Sequence, residues 1–235
     1  MTAAGVEGAV IAVAGAGGPT GRAVVARLAA GGARVFGADA NPERLWESVE
    51  AVPGVRGAVV DLLDPDATRA WAADVEREHG RVDGLVHLVG GWRGGKTFGD
   101  VSLEDWAFLH DLLVRTVQHT TIAFHDALAR GPRGRFVLVS AAAAGRPTAG
   151  NAGYAAAKAA AETWTLALAD AFADTDAAAV ILVVKALVHD AMREARPHAT
   201  FAGFTDVADL AEEIERLWSA PATDLNGKRL CLNVP

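Results

Sequence analysis

Tyr154 and Lys158 stand four residues apart in the alanine-rich run Ala152–Ala173. On a helix this spacing puts both side chains on one face, one turn apart. A nearby ammonium favours the phenolate and lowers a phenol's pKa, which suits Tyr154 to proton exchange near neutral pH. Lys158 can also donate to sugar hydroxyls. Tyr154 is the only tyrosine of the chain, which makes chance placement less easy.

A second group of residues reads as an anion cradle. The apolar run Val10-Ile11-Ala12-Val13-Ala14 leads into Gly15, Gly18, Pro19, Thr20 and Gly21, a G-x-x-G-x-x-G spacing. Such a turn, following a strand and opening a helix, lets backbone approach a pyrophosphate and aims free helix N–H groups at it. Pro19 suits a first helical turn, where its missing N–H costs nothing. In a chain with 25 glycines the spacing alone says little; its context strengthens it. Asp39 follows at the end of the second predicted strand, where a carboxylate accepts from a ribose 2′-hydroxyl. No Lys or Arg occupies Ala40 or Asn41 to take a 2′-phosphate, so NAD(H) is expected in preference to NADP(H). The plainer alternative is a structural turn followed by a surface aspartate.

Alternating elements must carry these groups. Apolar, β-rich runs predict strands at Ala9–Ala14, Ala33–Asp39, Val55–Asp61, Val82–Leu88, Arg135–Ser140, Ala177–Val184 and Arg229–Val234. Helical spacing predicts helices at Gly21–Ala30, Pro42–Val49, Pro65–Glu78, Leu103–Ala129 as one long helix, Ala152–Ala173 and Val207–Trp218. Nearly all-apolar strands suit a sheet covered on both faces. Strands separated by helices imply parallel pairing through right-handed crossovers, hence an α/β, doubly wound parallel sheet of the Rossmann type. No repeat, low-complexity tract or long linker divides the chain, so residues 1–235 are expected to form one dinucleotide-binding domain.

Composition excludes several functions. The 235 residues carry 22 Lys+Arg and 29 Asp+Glu, a net charge of −7, against a nucleic-acid or anionic-membrane surface. With 51% hydrophobic residues the chain is not disordered. One cysteine, Cys231, precludes an internal disulfide and suits a reducing compartment. Residues 1–8 lack a basic signal-peptide start, and the apolar run after them is far short of the roughly 20 residues that span a bilayer. A soluble, cytoplasmic protein is expected.

Other polar residues were weighed for chemistry. His110, His119 and His125 share the long predicted helix at spacings of nine and six, without H-E-x-x-H, and no metal site is expected. No G-x-S-x-G surrounds Ser140, which speaks against a hydrolase. Trp92 follows Gly90 and Gly91 at the end of a central strand, where ligands bind open α/β sheets; it is placed either to stack on a planar substrate or to pack a loop. Arg93, Lys96 and His189 read as solvated loop groups, with anion binding or titration as the sharper alternative.

Taken together, the glycine turn, Asp39 and Tyr154-Ala-Ala-Ala-Lys158 resemble the short-chain dehydrogenase/reductase family over essentially the whole length. The resemblance implies that Asp61 and Leu62 contact adenine and that Val89-Gly90-Gly91 replaces the usual Asn-Ala-Gly. It also implies two losses. The catalytic serine, 13 residues before the tyrosine, is Ala141, with Ser140 one residue earlier and so on the opposite side of a strand. The helix asparagine of the proton relay falls at about Leu113. The Pro-Gly after the sixth strand becomes Lys185-Ala186.

Leu88-Val-Gly-Gly-Trp92-Arg-Gly-Gly95 is similar to a segment of dihydropteridine reductases, which also carry alanine for the serine and prefer NADH. That branch implies an NAD(P)H-dependent oxidoreductase passing hydride to an activated C=O or C=N acceptor, with Tyr154 as acid and Lys158 tuning it. The substrate would lie beside Trp92, Ser140, Ala141 and Leu187, under a substrate loop near 186–204. The competing reading is a non-redox or regulatory descendant that binds dinucleotide without the usual Ser and Asn. The resemblance further implies a homodimer or homotetramer through helices near 103–129 and 152–173, with Val114, Val117, Thr121, Phe124, Trp164, Leu168 and Phe172 as candidate interface residues; sheet-covering packing is the alternative for them.

Overall fold

The structure, a computed structural model, describes residues 5–233; Met1–Ala4 and Val234–Pro235, including the end of the last predicted strand, lie outside the described residues. Seven strands form a fully parallel sheet. In chain order these are β1 (Val10–Ala14), β2 (Arg34–Asp39), β3 (Arg56–Val59), β4 (Gly84–His87), β5 (Arg135–Ala141) and β6 (Ala178–Val184), with the last described strand, Arg229–Leu232, at the far edge. The spatial order is β3-β2-β1-β4-β5-β6 and then that edge strand. Strand order reverses between β1 and β4, whose ends pair at Ala14 and His87. Open α/β sheets bind ligands at such a switch point.

Helices cover both faces. On one side pack α1 (Pro19–Ala30), α2 (Pro42–Glu50) and the later helix Val207–Arg216; on the other, α3 (Pro65–His79), α4 (Leu103–His110), α5 (Thr116–Arg130) and α6 (Ala152–Ala171). Alternation along β1 divides its side chains between the layers: Val10, Ala12 and Ala14 join Trp71, Phe124, Phe136 and Phe172, while Ile11 and Val13 join Leu28, Val180 and Trp218. The second layer fits tightly around Trp218, whose indole N–H donates to the Asp83 carbonyl (3.1 Å).

Helix starts follow their sequences. Asn41 accepts from Arg44 N–H ahead of Pro42, and Asp64 accepts from Asp66 and Ala67 N–H ahead of Pro65. α1 differs from these two, as Gly18 offers no side-chain cap and no acidic residue occupies the first turn.

Three expectations need correction. The predicted helix Leu103–Ala129 is broken by a π-helical turn at Asp111–Arg115, at whose end the Thr116 hydroxyl donates to the Leu112 carbonyl (2.7 Å). The third strand ends at Val59 rather than Asp61, since Asp61 turns the chain by accepting from Leu63 N–H. The region 186–204 is more than a loop. β7 (Leu187–Val188) opens it, α7 (Asp190–Ala195) lies within it, and β8 (Thr205–Asp206), pairing with β7, closes its base. The last described strand is therefore β9, and the last long helix α8 (Val207–Arg216). Among the described residues no helix is long and apolar enough to cross a membrane.

Candidate active site

At the switch point, β1 and β4 end side by side and the chains part. Gly15 turns with φ +84°, and a Cβ there would stand 2.9 Å from the Val89 nitrogen. At Gly21 a Cβ would meet the Gly15 carbonyl oxygen at 2.3 Å, so only glycine lets α1 start this close to the turn. At Gly18, by contrast, the nearest atom to such a Cβ is 4.0 Å away. The approach to the uncapped N-terminus of α1 is therefore open. These residues fit a dinucleotide pyrophosphate: free first-turn N–H groups, a positive helix end and room for the anion.

Two adjoining cavities share Gly15, Gly18, Leu88, Val89 and Gly90. The smaller, about 350 Å³, is bordered by Asp39, Arg44, Asp61 and Leu62 and suits an adenosine. Asp39 is fixed there by two backbone donors, Gly17 N–H to Oδ2 (3.0 Å) and Asn41 N–H to Oδ1 (2.9 Å). The larger, about 590 Å³, is lined by Pro19, Thr20, Gly91, Trp92, Ala141, Asn151, Tyr154, Lys158 and Leu187, among others. Trp92 is 63% exposed at its mouth.

The pair at the centre behaves differently from the expectation of a lowered phenol. Burial pushes the Tyr154 phenol up. Lys158, also buried, is brought down to about 8, with Glu162 opposing part of that shift. Its ammonium donates to the Val139 carbonyl on β5 (2.8 Å). Desolvation sets the direction at Tyr154, and the phenol keeps its proton at neutral pH. His87, fully buried at the end of β4, is lowered to about 3 by burial and then by the Lys158 charge. Its ring nitrogens lie 3.2 Å from the Thr116 and Thr120 hydroxyls.

Ala141 closes β5 with its methyl group at the cavity. Leu113 is buried in an apolar cluster with Leu109, Val114 and Ala157, against which Tyr154 packs. Ser140 borders the same cavity, but its hydroxyl donates to Glu162 Oε1 (2.6 Å) rather than toward a substrate. Arg93 pairs with Asp105 and stacks on Phe108, away from any anion role. His119 contacts the Leu62 carbonyl and His125 contacts Asp126. Among the described residues no cluster of His, Cys, Asp and Glu could hold a metal.

The sequence comparison is then decisive. The family model for short chain dehydrogenases matches residues 9–200. The chain belongs to the short-chain dehydrogenase family. A 2,3-dihydro-2,3-dihydroxybenzoate dehydrogenase of Bacillus subtilis (strain 168) is 31% identical over 172 residues, covering 72% of this chain and 66% of that protein. The match thus spans slightly under two thirds of the relative's length. Among solved structures, a short-chain type dehydrogenase/reductase from Mycobacterium ulcerans superposes with TM-score 0.88 at 23% identity, over 97% of this chain and 89% of that one. An NADPH-bound short chain oxidoreductase from Pseudomonas aeruginosa PAO1, described as containing an atypical catalytic center, gives 0.85 at 23% identity over 96% of each chain. These two likenesses are of fold.

Within this short-chain dehydrogenase, two residues of the cavities and one outside their lining escaped sequence reasoning. Arg44, in the first turn of α2, reaches the adenosine lobe; only the positions directly after Asp39 had been inspected for a cation. Asn151 shares the Tyr154 face at i, i+3 and lines the substrate lobe, its Oδ1 held by Thr148 N–H (2.7 Å). Glu162, one turn past Lys158, continues the same stripe, and its i+4 spacing was the available signal.

The buried His87 has a measurable consequence. Below pH 6.5 the unfolded chain binds a proton that the folded chain refuses until about pH 3. Stability is therefore complete above that upper value and is lost on acidification through the window, by up to about 1.4 kcal/mol per pH unit. Urea unfolding between pH 7 and 4 should show a shallower pH dependence for His87→Asn than for the wild type; equal slopes would refute the assignment.

Proposed function

We propose that this short-chain dehydrogenase is an NADH-preferring reductase of activated C=O or C=N acceptors, similar to dihydropteridine reductases. The observation that carries the reading is a cavity with an intact Tyr154–Lys158 pair but an alanine methyl, Ala141, where a carbonyl-polarising hydroxyl would stand. The protein is an NAD(P)-dependent enzyme acting on a small molecule. A bound dihydronicotinamide supplies the hydride. Gly15, Gly18, Pro19, Thr20 and Gly21 hold the pyrophosphate, Asp39 the ribose hydroxyls, Asp61 and Leu62 the adenine edge, and Gly90 and Gly91 leave room beside the nicotinamide.

Tyr154, kept neutral by its burial, would give its proton to the acceptor's oxygen or nitrogen. The Lys158 ammonium, one turn away, stabilises the phenolate left behind and donates to the ribose. Trp92 stacks on a planar acceptor, and Leu187 bounds it from the loop 186–204. With Leu113 and Ala141 apolar, the pocket offers little electrophilic help, so the acceptor must bring its own electrophilicity.

A two-fold assembly through α5 and α6 accompanies this reading. Val114, Val117, Phe124 and Phe172 are buried within the chain, contrary to their candidacy as interface residues, while Thr121 and Leu168, also largely buried, line a groove on the outward face. The outward face instead presents Ile122 and Leu166, 61% and 44% exposed, beside the half-buried Trp164, around a shallow groove of about 340 Å³. That self-complementary apolar face supports a homodimer or homotetramer. Ile122→Arg should shift the protein to monomer in light scattering; an unchanged mass would remove this face from the interface.

Cofactor preference tests the adenosine lobe. Asp39 repels a 2′-phosphate while Arg44 partly offsets it, so NADH should bind about tenfold tighter than NADPH, roughly 1.4 kcal/mol. Asp39→Ala should narrow the gap. Equal affinities in calorimetry would overturn the preference.

The acceptor class is tested at β5. A missing donor to a developing oxyanion costs on the order of 10²–10³ in rate. Ordinary ketones should therefore be poor substrates, and Ala141→Ser should raise their reduction while changing a quinonoid pterin much less. Tyr154→Phe should abolish turnover with NADH affinity nearly intact. Strong ketone reduction by the wild type would defeat the activated-acceptor reading.

A further inference from the structure

Tyr154, Lys158 and Glu162 form one stripe on α6 at i, i+4 and i+8, and the last of the three has no part in the chemistry above. Glu162 is an uncommon residue for its setting: a carboxylate only 8% exposed, on the helix that carries the catalytic pair. Its environment is built on three elements. Ser140 on β5 donates its hydroxyl to Glu162 Oε1 at 2.6 Å. Arg229 on β9 donates Nε to Oε2 at 2.7 Å and Nη2 to Oε1 at 3.2 Å. One residue before Ser140, the Val139 carbonyl receives the Lys158 ammonium. The lysine and the glutamate are thus pinned to consecutive residues of the same strand.

A buried ammonium held by one neutral carbonyl is costly, because a carbonyl supplies only a dipole where water supplied a full shell. Lys158 is only 7% exposed. The charged and titratable groups around it are few. Tyr154 and Glu162 flank it on α6, and His87 faces it from β4 as a neutral ring. Arg229 on β9 is engaged with Glu162. From the loop after β6, Lys185 donates to the Ala202 carbonyl, and in the π turn Asp111 and Arg115 pair with each other. Of the two anions in this set, Asp111 is spent on Arg115 in the π turn, whereas Glu162, although paired with Arg229, stands one helical turn from Lys158.

We propose that Glu162 is a positioning residue for Lys158, keeping its ammonium charged and seated on the Val139 carbonyl, and that Ser140 and Arg229 serve to hold that carboxylate in place. The inference rests on reading Tyr154–Lys158 as the proton-donating pair, and it gives Ser140 a task distinct from polarising a substrate. It accords with the direction in which Glu162 acts on Lys158, against the pull of burial.

The ionisation of Lys158 can be read directly, without a substrate. The lysines are Lys96, Lys158, Lys185 and Lys228, so ¹³Cε-lysine labelling gives a sparse NMR spectrum, with Lys158 assigned by its loss in Lys158→Arg. The wild-type resonance should titrate near 8. In Glu162→Gln, which keeps the size and a hydrogen-bonding head, the midpoint should fall by about one pH unit. Glu162→Asp, retaining the charge, should restore most of it. Ser140→Ala leaves the ion pair with Arg229 intact and should move the midpoint the same way by less, which keeps the test alive if Glu162→Gln fails to fold.

In turnover, the alkaline limb of kcat/KM for NADH-dependent reduction should move to lower pH with the NMR midpoint. Activity would then fall further at pH 8.5 than at pH 6. A merely structural role would instead lower activity equally across pH. A folded Glu162→Gln or Ser140→Ala with an unmoved Lys158 midpoint would overturn the proposal. A shifted midpoint in a protein that reduces no activated acceptor would leave it standing and defeat the function reading instead.

Discussion

The parting of β1 and β4 at their carboxyl ends is the constraint on which the rest of the site depends. Both strands are covered on both faces, so the only exit for ligand-binding backbone is beyond their ends, where the next helices lie on opposite faces. Gly15 passes so close to Val89 that any side chain would collide, and this closeness is what lets the α1 N-terminus and the β4 turn share one crevice. Asp39 is tied to the same turn through Gly17 N–H, so the adenosine and substrate lobes are positioned by a single piece of backbone. Tyr154 and Lys158 come from a helix far along the chain, but their seat on the Val139 carbonyl places them against the strand next to β4.

Low polarity, rather than a network of charges, sets the chemistry of the substrate lobe. Burial raises the tyrosine, lowers the lysine to about 8 and holds His87 neutral down to about 3. All three shifts penalise the charged form, as desolvation must. Leu113 and Ala141 are both apolar and buried. The consequence is a site in which a neutral phenol holds its proton until an acceptor takes it.

Much of this was legible in the sequence, and the boundary has physical causes. The strands read well because fully covered parallel strands are apolar throughout, and the glycine turn read well because close backbone approach excludes other residues. The π turn at Asp111–Arg115 was not legible: no Gly or Pro marks it, and the bond from the Thr116 hydroxyl to the Leu112 carbonyl is one that Thr120 and Thr121 also make in regular helix. Two-residue β7 and β8 are too short for any periodicity. Helical spacing identifies apolar faces on α5 and α6 but does not distinguish the inner one, which carries Phe124, from the outer one, which carries Ile122. The i, i+4 spacing placed Tyr154 and Lys158 on one face correctly, yet it could not tell that the lysine head turns to a strand carbonyl or that burial would dominate the phenol.

Ser140 illustrates how a one-residue displacement changes a side chain's work. Along β5, residue 141 presents its side chain to the cavity while residue 140 reaches the carboxylate on α6. Moving a hydroxyl by one position therefore exchanges a contact with substrate for a contact with Glu162. The exchange need not weaken the enzyme if the acceptor is already electrophilic, because the electrostatic demand then lies at the proton donor rather than at the acceptor oxygen. Strengthening the anchor of Lys158 while leaving the acceptor side apolar is the arrangement that such a demand favours, and Ala141, Ser140 and Glu162 are best understood as one arrangement rather than as a lost serine beside two unrelated polar residues.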